Sequence, residues 1–210
     1  MDFTSMGESI KALESRGLLR RVTEETDPNL EMAEIHRRVY DGGGPALLFT
    51  RVKGSPFPAV SNLFGTRERA EFLLGDGVRR ARDLVRLKVD PVDALRNPLQ
   101  AIKALWGART GLALRSWNSP VAAGETTMSQ LPQIVCWPKD GGAFITLPQV
   151  YTEHPDFPGI TKSNLGMYRI QLSGGQYVPD REAGMHYQIH RGIGVHHHAA
   201  LQRNGGKGER

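Results

Sequence analysis

In the stretch TKSNLGMYRIQLSGG (161–175), Arg169 and Gln171 alternate with Tyr168, Ile170 and Leu172, and Asn164 stands just before them. Successive strand side chains point to opposite faces. Tyr168, Ile170 and Leu172 would therefore meet a core, while Met167, Arg169, Gln171 and Ser173 share the other side. GMHYQIHRGIG (184–194) repeats the pattern, with Met185, Tyr187 and Ile189 on one face and His186, Gln188 and His190 on the other. Paired as a hairpin through SGGQYVPDREA, the two strands would bring Arg169 and Gln171 beside His186, Gln188 and His190. Imidazole nitrogen, amide oxygen and phosphate oxygen together suit a divalent ion of the Mn2+ or Mg2+ kind, and guanidinium and glutamine donors suit phosphate or carboxylate. Asn164 and His190 are the candidate ligands. Two protein ligands do not close a site, so a third group and a bound phosphate are expected. The competing reading of the same alternation is an ordinary half-exposed antiparallel strand.

The elements that must position these residues read as two regions. The first alternates helical and extended patterns. TSMGESIKALESRGLL offers Thr4 or Ser5 as a helix cap, RRVTEE a short strand, and NLEMAEIHRRVYDGGG a helix with Leu30, Met32, Ile35 and Val39 on one side, stopped by glycines. ALLFTRV and PAVSNLF read as strands, GTRERAEFLLG as a helix ended by glycine, and RRARDLVRLK as a helix with Ala81, Leu84 and Val85 in a stripe and its arginines in water. Beyond a loop-rich stretch come extended patterns, QIVCWP, AFITLPQVY, MYRIQL and GMHYQIH, separated by Gly, Pro and Asp turns. The expected fold is an α/β N-terminal domain over 1–115, followed over 116–210 by the first part of an antiparallel β domain, an incomplete barrel. The HHH at 196–198 reads as a partly exposed helix start, because three consecutive helical positions diverge.

Composition excludes several classes. The 210 residues hold 27 Lys+Arg, 22 Asp+Glu and one cysteine. Cys136 alone excludes a disulfide framework or a Cys-rich zinc site, and its apolar neighbours suggest a buried strand thiol. No secretory leader or membrane-length apolar run is present, so a soluble cytoplasmic protein without a membrane span is expected. The mild basic excess and the lack of a recognisable motif argue against a nucleic-acid partner.

SNLGMYR followed by GMHYQIHRG resembles the UbiD family of decarboxylases, and NLFGT (62–66), CWPKDGGAFIT (136–146) and the opening helix-then-strand support the resemblance. It implies a split-barrel, flavin-binding-like second domain and a non-oxidative (de)carboxylase of aromatic or α,β-unsaturated acids. Prenylated FMN would be the cofactor, with Mn2+ and, as a further ion, K+. By position, Asn164 and His190 resemble the metal-binding pair and Arg169 the catalytic arginine. Met167, Tyr168, Arg169, His186, Tyr187, Gln188, Arg191 and Gly192 match the segments along the flavin, and Thr146 falls where a hydroxyl approaches it. The metal-binding glutamate, the acidic partners of the arginine and an oligomerisation domain are expected beyond residue 210, in a C-terminal half or a second chain. The implied partners are a small carboxylic acid, a flavin prenyltransferase that supplies the cofactor, and further copies of the complete enzyme. The isolated chain is expected to be inactive. A non-catalytic flavin- or metal-phosphate-binding module is the alternative.

Overall fold

The computed structural model describes residues 3–89, 98–108 and 124–205, so the expected boundary near residue 115 lies outside the described residues. The chain divides into two compact units. One comprises Met1–Glu24, Ile35–Thr50 and Pro58–Ala123, and the other Glu25–Glu34, Arg51–Phe57 and Gly124–Arg210.

The first unit is mixed α/β. Helix α1 (Met6–Ser15) starts at Ser5, whose hydroxyl accepts from the Glu8 amide while the Glu8 carboxylate accepts from the Thr4 amide. This exchange satisfies donors that the first helical turn would leave bare. Helix α2 (Glu31–Asp41) runs into Gly42, Gly43 and Gly44, and Gly43 takes a left-handed φ of 62°. Strands β1 (Leu19–Val22), β2 (Ala46–Phe49) and β3 (Ala59–Ser61) form one sheet, with β1 parallel and β3 antiparallel to β2. All four residues of β2 are buried, as a central strand covered on both faces requires. Leu13, Leu19, Ala46, Leu48 and Leu63 make the core, joined by Phe72 and Leu73 of helix α3 (Arg67–Val89).

α3 departs from the sequence expectation. It continues through Gly75 and Gly77 as a single 23-residue helix instead of stopping at the first glycine. A glycine inside a helix costs only about 1 kcal/mol, and the Asp76–Arg79 ion pair lies across the suspected break. The basic segment also carries Val85 exposed and Leu84 half-buried, so its apolar residues do not form one buried stripe. Helix α4 (Pro98–Ala108) packs against α3.

The loop before α3 is fixed by two buried polar side chains. Asn62, with a left-handed φ of 59°, donates to the Gly44 and Pro45 carbonyls, and Arg69 donates to the Asn62 and Gly44 carbonyls. Replacing Asn62 by alanine takes the amide donor from the Pro45 carbonyl and one of the two donors from the Gly44 carbonyl, and it leaves a left-handed backbone that alanine tolerates less well than asparagine. A loss of about 2 kcal/mol is expected, read as a lower melting temperature. Asn62→Gly keeps the backbone and should recover only part of the loss. An unchanged melting temperature in Asn62→Ala would show that the clip is dispensable.

The second unit contains two small antiparallel sheets. β4 (Phe144–Ile145), β7 (Arg169–Gln171) and β8 (Gly184–His186) form one in the order β4-β7-β8, and β5 (Gln149–Glu153) pairs with β6 (Ser163–Met167) in the other. Helix α5 (Gly192–Arg203) contacts β5 and β6. Asn164 thus lies within β6, one residue after its start. QIVCWP is not a strand: only Val135 makes a bridge, to Asn29, and Cys136 is half-buried. Pro132 and Pro138 bracket that stretch and have no amide hydrogen for a ladder. Among the described residues no helix is long and apolar enough to cross a membrane.

Candidate active site

β7 presents its polar face between its two neighbours, with Arg169 opposite His186 and Gln171 opposite both Phe144 and Gly184. The Arg169 guanidinium carbon lies 3.7 Å from the Phe144 ring centroid, and Nη2 donates to Asp140 Oδ2 at 3.0 Å. Nε is buried with no acceptor among the described residues, while the side chain as a whole remains 39% exposed. A buried, unpaired donor beside an open edge is a place where a ligand oxygen gains more than it would in water.

Gln171 is buried in spite of its polarity, because every group it carries is bonded. Its Nε2 donates to the Gly141 and Ser173 carbonyls, and its Oε1 lies 3.0 Å from His186 Nε2. With the amide nitrogen committed as donor, Oε1 accepts and His186 donates from Nε2. The His186 ring also stands edge-on to Phe144, centroids 5.4 Å apart.

A second cluster forms where β6 meets the start of α5. The Tyr168 hydroxyl accepts from Asn164 Nδ2 at 2.9 Å and from the Ile193 amide at 3.4 Å. Gly166 makes room for the Tyr168 ring, and Gly192 for Asn164: a Cβ at 192 would overlap Asn164 Oδ1. Arg191, at the N-cap of α5, makes no side-chain capping bond, so the first turn offers amide donors and the positive end of the helix dipole.

Met167 is 65% exposed at the end of β6, and Thr146 is exposed in the bend after β4. Tyr187 bonds to His197 Nδ1. Gln188 and His190 do not continue β8 and so do not share the Arg169 face as the alternation suggested. The Arg191 amide closes a turn onto the Gln188 carbonyl at 2.9 Å, and Arg191 Nε reaches Gln188 Oε1 at 3.3 Å. β8 ends at His186, and farther on Gly194 lets the first turn of α5 approach the Ile189 carbonyl so closely that a Cβ would collide with it. His190 is exposed in that turn, and two residues span at most about 7 Å, which keeps it near Gly192 and hence near Asn164. The three consecutive histidines diverge as expected: His196 bonds Thr152 Oγ1 at 2.9 Å and His197 bonds Tyr187.

Sequence reasoning missed Asp140 and Phe144. Asp140, 29 residues upstream of Arg169, is a partner additional to the acidic residues that the resemblance places beyond residue 210. The available signal was the DGG turn feeding a strand in PKDGGAFIT, since such a turn fixes where its aspartate points.

For a flavin phosphate the residues fit: the N-cap side chain of α5, that of Arg191, makes no bond to the first turn and is exposed beside it. For a metal they supply two donors, Asn164 Oδ1 and the His190 ring, and no group of three or more His, Cys, Asp or Glu side chains gathers among the described residues.

Cys136 lies near the Arg169–Asp140 pair. Burial foremost, and then the Asp140 carboxylate, push its thiol above the ordinary range, against a smaller pull from Arg169. Only the thiolate alkylates, so the pH midpoint for iodoacetamide labelling of Cys136 is expected above that of a free thiol. Peptide mapping checks it, and labelling with a midpoint below that of free cysteine would contradict this environment.

The family model of the 3-octaprenyl-4-hydroxybenzoate carboxy-lyase N-terminal domain matches residues 10–88, and that of the Rift-related domain of the same carboxy-lyase matches residues 116–209. The chain belongs to the UbiD family. A Chlamydia pneumoniae protein, named as one of the subunits of a 4-hydroxybenzoate decarboxylase, is 38% identical over 204 residues, covering 92% of this chain and 32% of the relative. A protein of Chlamydia trachomatis is 40% identical over 211 residues, covering 95% of this chain and 34% of the relative. This UbiD-family chain thus spans about a third of the length of these relatives. Among solved structures, the closed form of vanillic acid decarboxylase from Sedimentibacter hydroxybenzoicus superposes with a TM-score of 0.73 at 23% identity, over 97% of this chain and 41% of that one. An evolved dimeric form of the UbiD-class enzyme HmfF from Pelotomaculum thermopropionicum, in complex with prFMN, gives 0.66 at 23% identity, over 96% and 42%. At these identities the structural likeness establishes the fold, one of mixed α/β content with small antiparallel sheets.

Proposed function

We propose that the chain supplies the cofactor side of a UbiD-type carboxy-lyase that acts on an aromatic or α,β-unsaturated carboxylic acid with prenylated FMN. The observation that carries the reading is Arg169, held over the Phe144 ring and bonded to Asp140 with the side chain still partly exposed, on the strand that leads from the Asn164–Tyr168–Gly192 cluster. The decarboxylase named among the relatives and the prFMN complex of one structural neighbour support it.

In this reading the phosphate of the flavin lies at the start of α5, near Arg191 and Gly192, with Mn2+ held by Asn164 Oδ1 and His190. K+ would be a further ion with no assigned ligand. Met167, Tyr168, Arg169, His186, Tyr187, Gln188 and Thr146 would hold the flavin. When bound, the cofactor supplies a place for the electron pair left by departing CO2. Arg169 grips the substrate carboxylate through its planar N–H edge, and Phe144 keeps that edge from rotating away. His186, held by its Nε2 bond to Gln171 Oε1 and paired across from Arg169, stands on the same face. The second domain over 116–210 is then the beginning of a split barrel, the N-terminal α/β domain covers 1–115, and the complete enzyme is a cytoplasmic oligomer served by a flavin prenyltransferase.

The test is to reconstitute the complete protein with prenylated FMN and follow CO2 release, and exchange of labelled bicarbonate into product, across benzoic, hydroxybenzoic and acrylic acids. Stoichiometric flavin with no turnover or exchange on any of them would favour a flavin-binding module without chemistry.

A further inference from the structure

Arg169 is long and has several rotatable bonds, and a carboxylate grip needs it in one conformation. Two groups supply that restraint. The Phe144 ring lies under the guanidinium, and Asp140 Oδ2 takes a hydrogen bond from Nη2 at 3.0 Å. The Asp140 side chain is only 14% exposed, and its own position is set by backbone. Its amide closes a turn onto the Trp137 carbonyl at 3.0 Å. The residues that follow it are tied to the end of β7. The Gly141 carbonyl accepts from Gln171 Nε2, Ala143 donates through its amide to Ser173 Oγ, and the Leu172 amide donates to the Ala143 carbonyl at 2.8 Å. Gly142 has a φ of 150°, and a Cβ there would collide with the Ser173 carbonyl, so this loop approaches the strand as only glycine allows. A carboxylate anchored this firmly to the strand that carries Arg169 orients it with little ordering left to do on binding.

We infer that Asp140 is the positioning residue of Arg169: with Phe144 it holds the guanidinium so that its remaining N–H edge faces the incoming carboxylate. Asp140 spends one N–H of the fork and leaves the others for the ligand. It touches no reacting atom itself and acts through the arginine. This inference rests on the assignment of Arg169 to the substrate carboxylate proposed above.

The test uses the complete protein loaded with FMN and benzoate as a non-reacting carboxylate probe, with binding followed calorimetrically. Asp140→Asn keeps size and hydrogen-bonding capacity but removes the charge, and it should weaken benzoate binding by about tenfold to a hundredfold, the cost of a misplaced positioning group. Arg169→Ala should weaken it at least as much. In the Arg169→Ala background, Asp140→Asn should add nothing, since its only effect runs through the arginine. A purely structural aspartate would instead add its loss in both backgrounds. Flavin content should be unchanged in the Asp140 variants, and benzoate binding is compared at saturating FMN in every variant. Where Asp140→Asn lowers the melting temperature too far, Asp140→Glu keeps the charge and shifts the carboxylate by one methylene, and should also weaken binding. Full affinity in either Asp140 variant, or an additive loss in the double variant, overturns the inference while leaving the role of Arg169 standing. Full affinity in Arg169→Ala overturns that role and the inference with it.

Discussion

Arg169→Ala in the complete, cofactor-loaded protein is expected to retain its flavin and to lose turnover by about a hundredfold to a thousandfold, the usual cost of deleting one preorganised donor at a reacting group. Two features set the size of the effect. The guanidinium is stacked on Phe144 and bonded to Asp140, so its orientation is already fixed before substrate arrives. The side chain still remains 39% exposed, so N–H groups not taken by Asp140 stay open to a ligand oxygen. Because the arginine acts on the reacting carboxylate, the loss should be seen in kcat/KM and not in flavin absorbance per protein. Arg169→Lys should rescue poorly. An ammonium keeps the charge but cannot lie flat on Phe144, bond Asp140 and still present a planar pair of donors. Steady-state decarboxylation beside the flavin spectrum decides the matter. Full turnover in Arg169→Ala would return β7 to an ordinary strand with a polar outer side.

The second large effect belongs to cofactor retention. Gly192→Ala should lower it by about tenfold to a hundredfold, the range found when a metal or phosphate ligand loses its orientation. The added methyl would overlap Asn164 Oδ1, and the end of a side chain can move where backbone cannot, so the fold should survive while the carboxamide is pushed off the Tyr168 hydroxyl. Asn164→Ala should reproduce the loss by removing the same oxygen. Gly194→Ala is the contrasting variant. Its methyl would meet the Ile189 backbone carbonyl, so stability and flavin should fall together. Equilibrium dialysis against FMN and a thermal melt for each variant separate the outcomes. Undiminished flavin in both Gly192→Ala and Asn164→Ala would remove this cluster from the cofactor site.

Much of the local structure was legible in the residues. The Ser5 cap, the glycine stop of α2 and the split of Tyr168 and Leu172 from Arg169 along β7 follow from propensity and from the twofold period of a strand. Those are encoded by a few neighbouring residues and two soft dihedrals each. The helix through Gly75 and Gly77 escaped the local reading because each glycine costs a helix only about 1 kcal/mol, too little to stop it. The strands expected over QIVCWP and through His190 shortened for another reason. A ladder needs a partner along its whole length: prolines flank the one stretch, and in the other β7 begins only at Arg169, with Met167 already paired to Gln149 of β5.

For the site, the types Asn, Arg and His and their spacing could be read directly, and the family could be read from SNLGMYR and GMHYQIHRG. Which of them meet could not. Arg169 found Asp140 29 residues upstream, Gln171 became buried by bonding carbonyls on two sides, and Asn164 was turned toward the start of a helix 28 residues downstream. Those pairings depend on how the Gly141–Gly142 turn and the Gly192 helix start close on the sheet. Such closure is a long-range choice, settled by close backbone approach and by burying no polar group unpaired, and no local period in the chain records it.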